Sequence, residues 1–418
     1  MLPQGFALPA SCYPVVFVAP FLAETTSRFV ESVALLPGVR LGLVTQEPAE
    51  RIDPRLRARL AAHWRVDDAV DPEQISGAVT QLAGRIGPPR RLLGALEQLQ
   101  VPLAQVRDAL GIEGMRPEAA ANFRDKSRMK EVLHRAGVPC ARFQLARSPE
   151  QALEFARQVG FPLVAKPPAG AAALNTFRVD DEVALREILT VEPPSQARPV
   201  LYEEFVVGEE HSFDAVSLGG RMIWHSLTHY SPGPLEVLEN PWIQWTVLLP
   251  REIDAPGYDD IRRIGAATLD ALGMVTGLSH LEWFRRKDGS IAVSEVAARP
   301  PGAQFTTLIS YAHEVDFYRA WARLMVFEEF DPPPRRYAAG VAYLRGQGRG
   351  RVRRIEGLER AQEELGSLVV EARLPRPGQP QASSYEGEGY VVLRHPRTEV
   401  VARALSRLVS LVRVELEP

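Results

Sequence analysis

Residues 280–302 read His-Leu-Glu-Trp-Phe-Arg-Arg-Lys-Asp-Gly-Ser-Ile-Ala-Val-Ser-Glu-Val-Ala-Ala-Arg-Pro-Pro-Gly, a stretch with few ways to fold. Asp288-Gly289 suits the two-residue turn of a β-hairpin, because a primed turn demands positive φ, which Asp and Gly tolerate. Both flanks have strand composition: 281–284 is apolar and aromatic around one acid, and 291–296 is rich in β-branched residues around another. Counted outward from a turn centred between 288 and 289, Glu282 stands opposite Glu295 on one face. Side chains so placed have Cβ atoms about 5 Å apart, and like charges there repel. Two arrangements relieve that repulsion. A divalent cation can lie between the carboxylates; magnesium suits the place, since it takes one or two protein carboxylates and leaves positions for water and phosphate oxygens. Alternatively, the hairpin is solvated and its facing glutamates pair with Arg285 and Arg286. Soon after Glu295 comes Arg299, a fixed cation whose planar fork grips phosphate or carboxylate.

Size and charge narrow the classes. A chain of 418 residues forms roughly two to four compact units with sizeable cores. A formal net charge of −3 and a pI near 6.3 give no reason to expect nucleic acid or an anionic membrane as partner. Cys12 and Cys140 are too few for a disulfide framework or a zinc knuckle and fit a reducing cytoplasm. The apolar run 14–20 is too short to span a bilayer, and no charged n-region precedes an apolar core. The expectation is a soluble, cytoplasmic protein. One count is more pointed: of 49 basic residues only four are lysine, namely Lys126, Lys130, Lys166 and Lys287. Where Arg is the default cation, each retained Lys asks for a local reason.

Residues 14–115 alternate strand and helix. Apolar strands are expected at 15–18, 41–44 and 91–96, and helices at 24–36, 54–64, 72–86 and 103–110. That order argues a parallel, doubly wound sheet. No G-x-G-x-x-G follows the first strand, so nothing supports a dinucleotide role. A long amphipathic helix is expected over 116–135, ended by Gly137 and Pro139. A strand at 161–166 delivers Lys166 to the small-residue loop Pro-Pro-Ala-Gly-Ala-Ala-Ala, whose backbone N–H groups can approach a phosphate. The strand 199–207 runs into Gly-Glu-Glu-His-Ser-Phe-Asp, where Glu210, Ser212 and Asp214 share a face by period two. Gly219-Gly220 turns a hairpin, 230–245 reads as a loop with two tryptophans, and 256–272 is a helix leading into the carboxylate hairpin. Asp331-Pro-Pro-Pro334 marks a linker, and 335–418 forms a last unit of strands and helix.

Taken in order, Asp125-Lys126, Val164-Ala165-Lys166-Pro167, Glu203 through Glu210, Glu282 and Glu295-x-x-x-Arg299 form a pattern. It resembles the ATP-grasp superfamily, and within it the ADP-forming carboxylate–amine ligases with a carbamoyl-phosphate-synthetase-like ATP site. The resemblance covers nearly the whole chain and rests on the motifs in sequence and spacing rather than on any one. It implies a mixed α/β and α+β architecture. A Rossmann-like domain would occupy 1–115, an ATP-grasp subdomain with a phosphate lid 116–198, a second with the Mg/ATP site 199–334, and a small C-terminal α+β domain 335–418.

The resemblance also implies ATP and Mg²⁺, with Mn²⁺ as the alternative ion. Lys126 and Lys166 would contact the nucleotide phosphates, for which the compact charge of Lys is suited. The loop 170–175, beginning at Gly170, would close over them. Glu203, with backbone groups of Phe205 and Val206, would read the adenine edge, and Glu210 would hold the ribose hydroxyls. Glu282 and Glu295 would bind the metal. Lys166 and Arg299 would be the catalytic pair, steadying the transferring phosphoryl group or the acyl intermediate. The family pattern at the last motif is Glu-x-Asn-x-Arg, and Ala297 stands in the Asn place, which leaves a second magnesium to Glu295 and water. The lid is also poorer in glycine than the family's.

The implied reaction joins a small carboxylic acid or amino acid to an amine through an acyl phosphate, releasing ADP and phosphate, with no covalent enzyme intermediate. Two other readings stand beside it. One is bicarbonate activation as in biotin carboxylase, against which the Gly-poor lid and the lack of a biotinyl-carrier lysine motif weigh. The other is a nucleotide-binding regulatory protein with weakened catalysis, for which Ala297 speaks. Expected partners are the small-molecule carboxylate and amine, with a homodimer as in related ligases. Substrate-side candidates are Arg299, Gly302, His229 and Trp242. His211, His225 and His229 are either substrate groups or ordinary strand and loop histidines. Trp242 and Trp245 either line an acceptor pocket or pack hydrophobically, and Asp214 is a second partner for ribose or lysine.

Overall fold

The computed structural model describes residues 12–170, 176–240, 242–382 and 384–417. Near the N-terminus, strands Tyr13–Val18, Val39–Thr45, Ala62–Arg65 and Arg91–Leu93 form a parallel sheet in the order third, second, first, fourth. Its first strand is apolar without alternation because both faces are covered. Val15 and Phe17 pack toward Phe29 and Trp321, while Val16 and Val18 share a core with Val79 and Leu82 of helix Pro72–Ile86. The helix expected over 54–64 is one turn, Pro54–Arg57, capped by Asp53, and the chain then extends into Ala62–Arg65. There Trp64 pairs with Val44, so completing the sheet outweighs the local helical spacing.

The single helix expected over 116–135 is two. Pro117–Arg124 stops at Asp125, whose carboxylate accepts hydrogen bonds from Ser127 N (2.9 Å) and Arg128 N (3.1 Å) and so starts Lys126–Arg135. The next sheet is antiparallel, in the order Phe143–Ala146, Val200–Glu204, Leu163–Lys166, Phe177–Val179, and is backed by helices Pro149–Val159 and Glu182–Val191. Strand Val200–Glu204 therefore lies with the lysine-bearing subdomain, and the division expected at 198/199 shifts to beyond Glu204.

An eight-stranded antiparallel sheet holds most of the rest. Its order is Ile291–Ala297, Gly277–Arg286, Gly208–Leu218, Arg221–Ser231, Trp245–Leu249, Ala338–Leu344, Gly389–His395, Val369–Arg373. The division expected at 334/335 is thus no break in the sheet, because Trp245–Leu249 pairs directly with Ala338–Leu344 across it. The stretch 230–245 is also more ordered than a loop: it ends one strand, carries helix Pro234–Glu239 and begins another. Helices Phe305–His313 and Phe317–Phe327 lie between this sheet and the N-terminal one, and Trp321 meets Phe29 with ring centroids 4.8 Å apart. One continuous core therefore joins the N-terminal unit to the large sheet. Among the described residues no helix is long and apolar enough to cross a membrane.

Candidate active site

The acidic hairpin takes its register by an unexpected route. Its turn uses three residues rather than two: Gly289 N donates to Arg286 O (2.9 Å), Arg286 N donates to Ser290 O (2.9 Å), and Gly289 has φ 85°. Next to the turn, Phe284 faces Ala292 and Trp283 faces Val293; a bulge at Ser294 then shifts the ladder by one, which brings Glu282 opposite Glu295. The Ser294 carbonyl accepts from Lys130 Nζ at 3.2 Å. Arg285 pairs with Asp260 (3.0 Å) and Arg286 with Glu204 (2.7 Å), so the hairpin arginines do not neutralise the facing glutamates.

Across from the hairpin stand the lysines. The Asp125 cap fixes the first residue of its helix, Lys126, whose Nζ lies 2.9 Å from Glu295 Oε1 and 3.3 Å from the Gly170 carbonyl. Lys166, at the end of its strand, is 2.9 Å from Glu203 Oε1. The other Glu203 oxygen is 3.2 Å from Lys130 Nζ, a side chain with no exposed surface. Burial opposes charge on Glu203, but the two ammonium groups outweigh it and hold the carboxyl below its ordinary range. Burial likewise opposes charge on Lys166, and Glu203, with Glu295 and Glu282 behind it, raises the amine above its usual value. The Glu203 carboxylate is thus engaged by two lysines. Lys130 was the retained lysine to which the sequence reading gave no role, and its scarcity was the available signal.

A second charged group lies on the acid side. His280 Nδ1 is 2.7 Å from Asp214 Oδ1 and its Nε2 is 3.6 Å from Glu282 Oε1. Burial pushes the imidazole down, but Asp214 and then Glu282 outweigh it, giving a value of about 9. Asp214 is fully buried and paired with His280. His280 also stands opposite Ala297 in the ladder, so an imidazole from the neighbouring strand adjoins the Asn place of the family pattern. At Glu210 a cation, Lys166, only partly offsets burial. Burial, reinforced by Glu282, pushes its carboxyl up to about 8.

These groups border a cavity of about 1210 Å³. Lys126, Lys166, Gly170, Glu210, Glu282 and Glu295 line its charged part. Phe205 and Val206 line another stretch, where Arg178 lies 4.6 Å over the Phe205 ring; Phe205 N–H is occupied by the Pro162 carbonyl at 3.2 Å. Arg299 reaches the cavity with its Nε held by Glu97 Oε2 at 2.7 Å and Nη1 by its own Pro300 carbonyl at 2.9 Å. Glu97, contributed by the N-terminal unit, was not foreseen. Gly302 lines the wall close to Tyr385: a Cβ there would stand 3.0 Å from the phenol oxygen. His229 borders the cavity and bonds Tyr258 Oη at 3.0 Å; His211 borders it too, and burial pushes it down to about 3. His225 stacks on Phe213, outside the lining. Trp242 is 53 % exposed and outside the lining; Trp245 is the tryptophan of the wall, its Nε1 donating to Tyr385 O at 2.8 Å. Of the loop 170–175, Gly170 is described and 171–175 lie outside the described residues.

Among the described residues no three His, Cys, Asp or Glu side chains gather closely enough to hold a metal alone. The donors fit a different kind of ion. Two carboxylates stand opposite each other in the ladder, and burial with Glu282 beside it raises the pKa of the Glu210 carboxyl. Magnesium shared with phosphate oxygens needs no more protein ligands than Glu282 and Glu295.

A parallel N-terminal sheet, a lysine-bearing antiparallel subdomain and a facing acidic hairpin frame the cavity, and the ATP-grasp domain model matches residues 131–313 of the chain. The chain is 23% identical over 325 residues to the L-arginine-specific L-amino acid ligase of Bacillus subtilis, covering 75% of this chain and 78% of that protein. It is 27% identical over 279 residues to the carbamoyl phosphate synthase large chain of Mycobacterium sp. (strain JLS), covering 66% of this chain but 22% of that much longer protein. In fold it is similar to the L-amino acid ligase of Bacillus licheniformis, with TM-score 0.75, 19% identity, and 98% of this chain and 100% of that chain covered.

Proposed function

We propose that the protein is an ATP-dependent carboxylate–amine ligase that forms an amide or peptide bond on an amino acid. The observation that carries this reading is the convergence on one cavity of Lys126 from the start of its helix, Lys166 from the end of strand Leu163–Lys166, Glu282 and Glu295 from the acidic hairpin, and Arg299 from the segment after it. The relatives that match along most of the chain, named as L-amino acid ligases, support it.

The chemistry follows from the placement. A carboxylate is a poor acyl donor, because its leaving group would be oxide. Transfer of the γ-phosphoryl group breaks its bond to the β-phosphate bridging oxygen and makes a bond to a carboxylate oxygen, giving ADP and an acyl phosphate. Lys126 and Lys166 bind phosphate oxygens, and the raised pKa of Lys166 keeps it cationic while doing so. Magnesium, when bound by Glu282 and Glu295, supplies further charge neutralisation at the phosphates. Arg299, which lines the cavity with its Nε anchored by Glu97, takes the substrate carboxylate in this reading. The amine nitrogen then attacks the acyl carbon, the C–O bond to phosphate breaks, and the nitrogen loses its proton. Enclosure within the cavity keeps water from the acyl phosphate.

The test is a screen of amino acids, singly and in pairs, for ATP-dependent phosphate release with mass analysis of the products. Phosphate release matched by an amide product is the expected result. Nucleotide binding with no turnover across the panel would overturn the reading.

A further inference from the structure

The cavity-lining carboxylates differ in what neutralises them. Glu97 has Arg299, Glu203 has Lys130 and Lys166, Glu295 has Lys126, and Glu282 has His280 at 3.6 Å. Half-buried Glu386 has no cation in pairing distance among the described residues, yet it lines the same cavity. Burial pushes its carboxyl above the ordinary range. Its hydrogen-bond partner is Gln304 Nε2 at 3.4 Å, and that amide is not free to turn away, because Gln304 is 7% exposed and its Oε1 accepts from Thr307 Oγ1 at 3.0 Å. Ala303 and Gln304 hold φ of 50° and 62°, a left-handed conformation costly for residues with a Cβ, and the Ala303 carbonyl is bonded by Tyr343 Oη. A strained turn fixed from behind thus presents Gln304 to Glu386. Beside Glu386, Tyr385 and Trp245 add aromatic wall to this end of the cavity. A carboxylate without a counter-ion next to aromatic rings suits an alkylammonium.

Building on the ligase reading, we propose that Glu386, presented by Gln304, is a specificity-determining residue that takes a non-reacting ammonium group of the amino-acid substrate. That ammonium comes either from the α-amino group of the carboxyl donor or from a basic side chain.

The experiment compares the full-length protein with Glu386→Gln and Glu386→Asp by steady-state phosphate release. The substrates are amino acids, their desamino analogues, and lysine or ornithine against neutral residues. For the ammonium-bearing substrate, Glu386→Gln is expected to raise KM about 10- to 100-fold, the worth of one charge-assisted hydrogen bond, with kcat and the KM for ATP little changed. Glu386→Asp should recover part of the loss. If the desamino acid is as poor for wild type as the amino acid is for Glu386→Gln, the α-amino group is the source; if only lysine and ornithine are affected, the side chain is. Calorimetric titration of the amino acid with a non-hydrolysable ATP analogue gives the same comparison without turnover, and circular dichroism establishes that the variant is folded. Active, folded Glu386→Gln with unaltered amino-acid KM overturns the proposal alone. A wild-type protein that turns over no pair removes the ligase reading as well.

Discussion

Glu97 Oε2 and Arg299 Nε stand 2.7 Å apart although 202 positions separate them in the chain. Glu97 sits in the short turn Glu97–Leu99 that follows the last parallel strand, at the carboxyl edge where open α/β sheets carry their ligands. Through this contact the N-terminal unit orients a guanidinium of the large sheet. Glu97→Gln keeps the shape but not the charge, and kcat/KM for the carboxylate substrate should fall about 10- to 100-fold. The KM for ATP, measured in the same assay, should stay near wild type.

Glu203 is the anion between two buried ammonium groups. Its replacement by Gln leaves buried Lys130 with no paired carboxylate and Lys166 without its nearest one, and a loss of about 3–5 kcal/mol in stability is expected. Urea unfolding followed by tryptophan fluorescence measures it; a variant as stable as wild type would mean the ion pairs are not formed in solution.

Glu295 is a different case, since its side chain is 27% exposed and its contact with Lys126 is open to solvent on one side. Glu295→Ala should lower stability by no more than about 1 kcal/mol while abolishing ATP-dependent product formation. Thermal melting and the product assay, run on one preparation, separate the two effects.

Stability should also fall on mild acidification. His313 accepts at Nε2 from Arg335 Nε (3.3 Å) while its Nδ1 donates to the Pro333 carbonyl (2.7 Å), so the folded ring is neutral. Burial, with Arg335 adding to it, pushes its pKa from 6.5 down to about 4. The unfolded chain therefore takes the proton first, and the His313 contribution, complete above pH 6.5, is lost as pH falls toward 4. The loss is about 3 kcal/mol at full extent. His211, pushed to about 3, acts in the same direction. Urea melts across this range should show a shallower decline for His313→Gln than for wild type.

The parallel sheet and the hairpin were readable in the sequence because each depends on neighbours in the chain. Apolar runs between helices suffice for the first, and Asp288-Gly289 between β-branched flanks for the second. Even so, Glu282 met Glu295 through two departures that offset one another, a longer turn and a bulge at Ser294. His280 was within reach of the same reasoning: it shares a strand face with Glu282 by period two, as Asp214 does with Glu210 on the adjoining strand. Glu97, Lys130 and Glu386 were not. Each draws its meaning from a partner more than 70 residues away, Arg299, Glu203 and Gln304 respectively, and local pattern carries no record of such pairs. The split at Asp125 was also missed, although Asp is a favoured capping residue, because the apolar period runs through it.

The pairing of Trp245–Leu249 with Ala338–Leu344 decides what becomes of a shortened chain. A stop placed at the proline run 332–334 would not release a tidy catalytic fragment. It would strip the apolar strand Trp245–Leu249 of its neighbour and leave a raw border open to any other chain in solution, so the truncated product should precipitate rather than work at reduced rate.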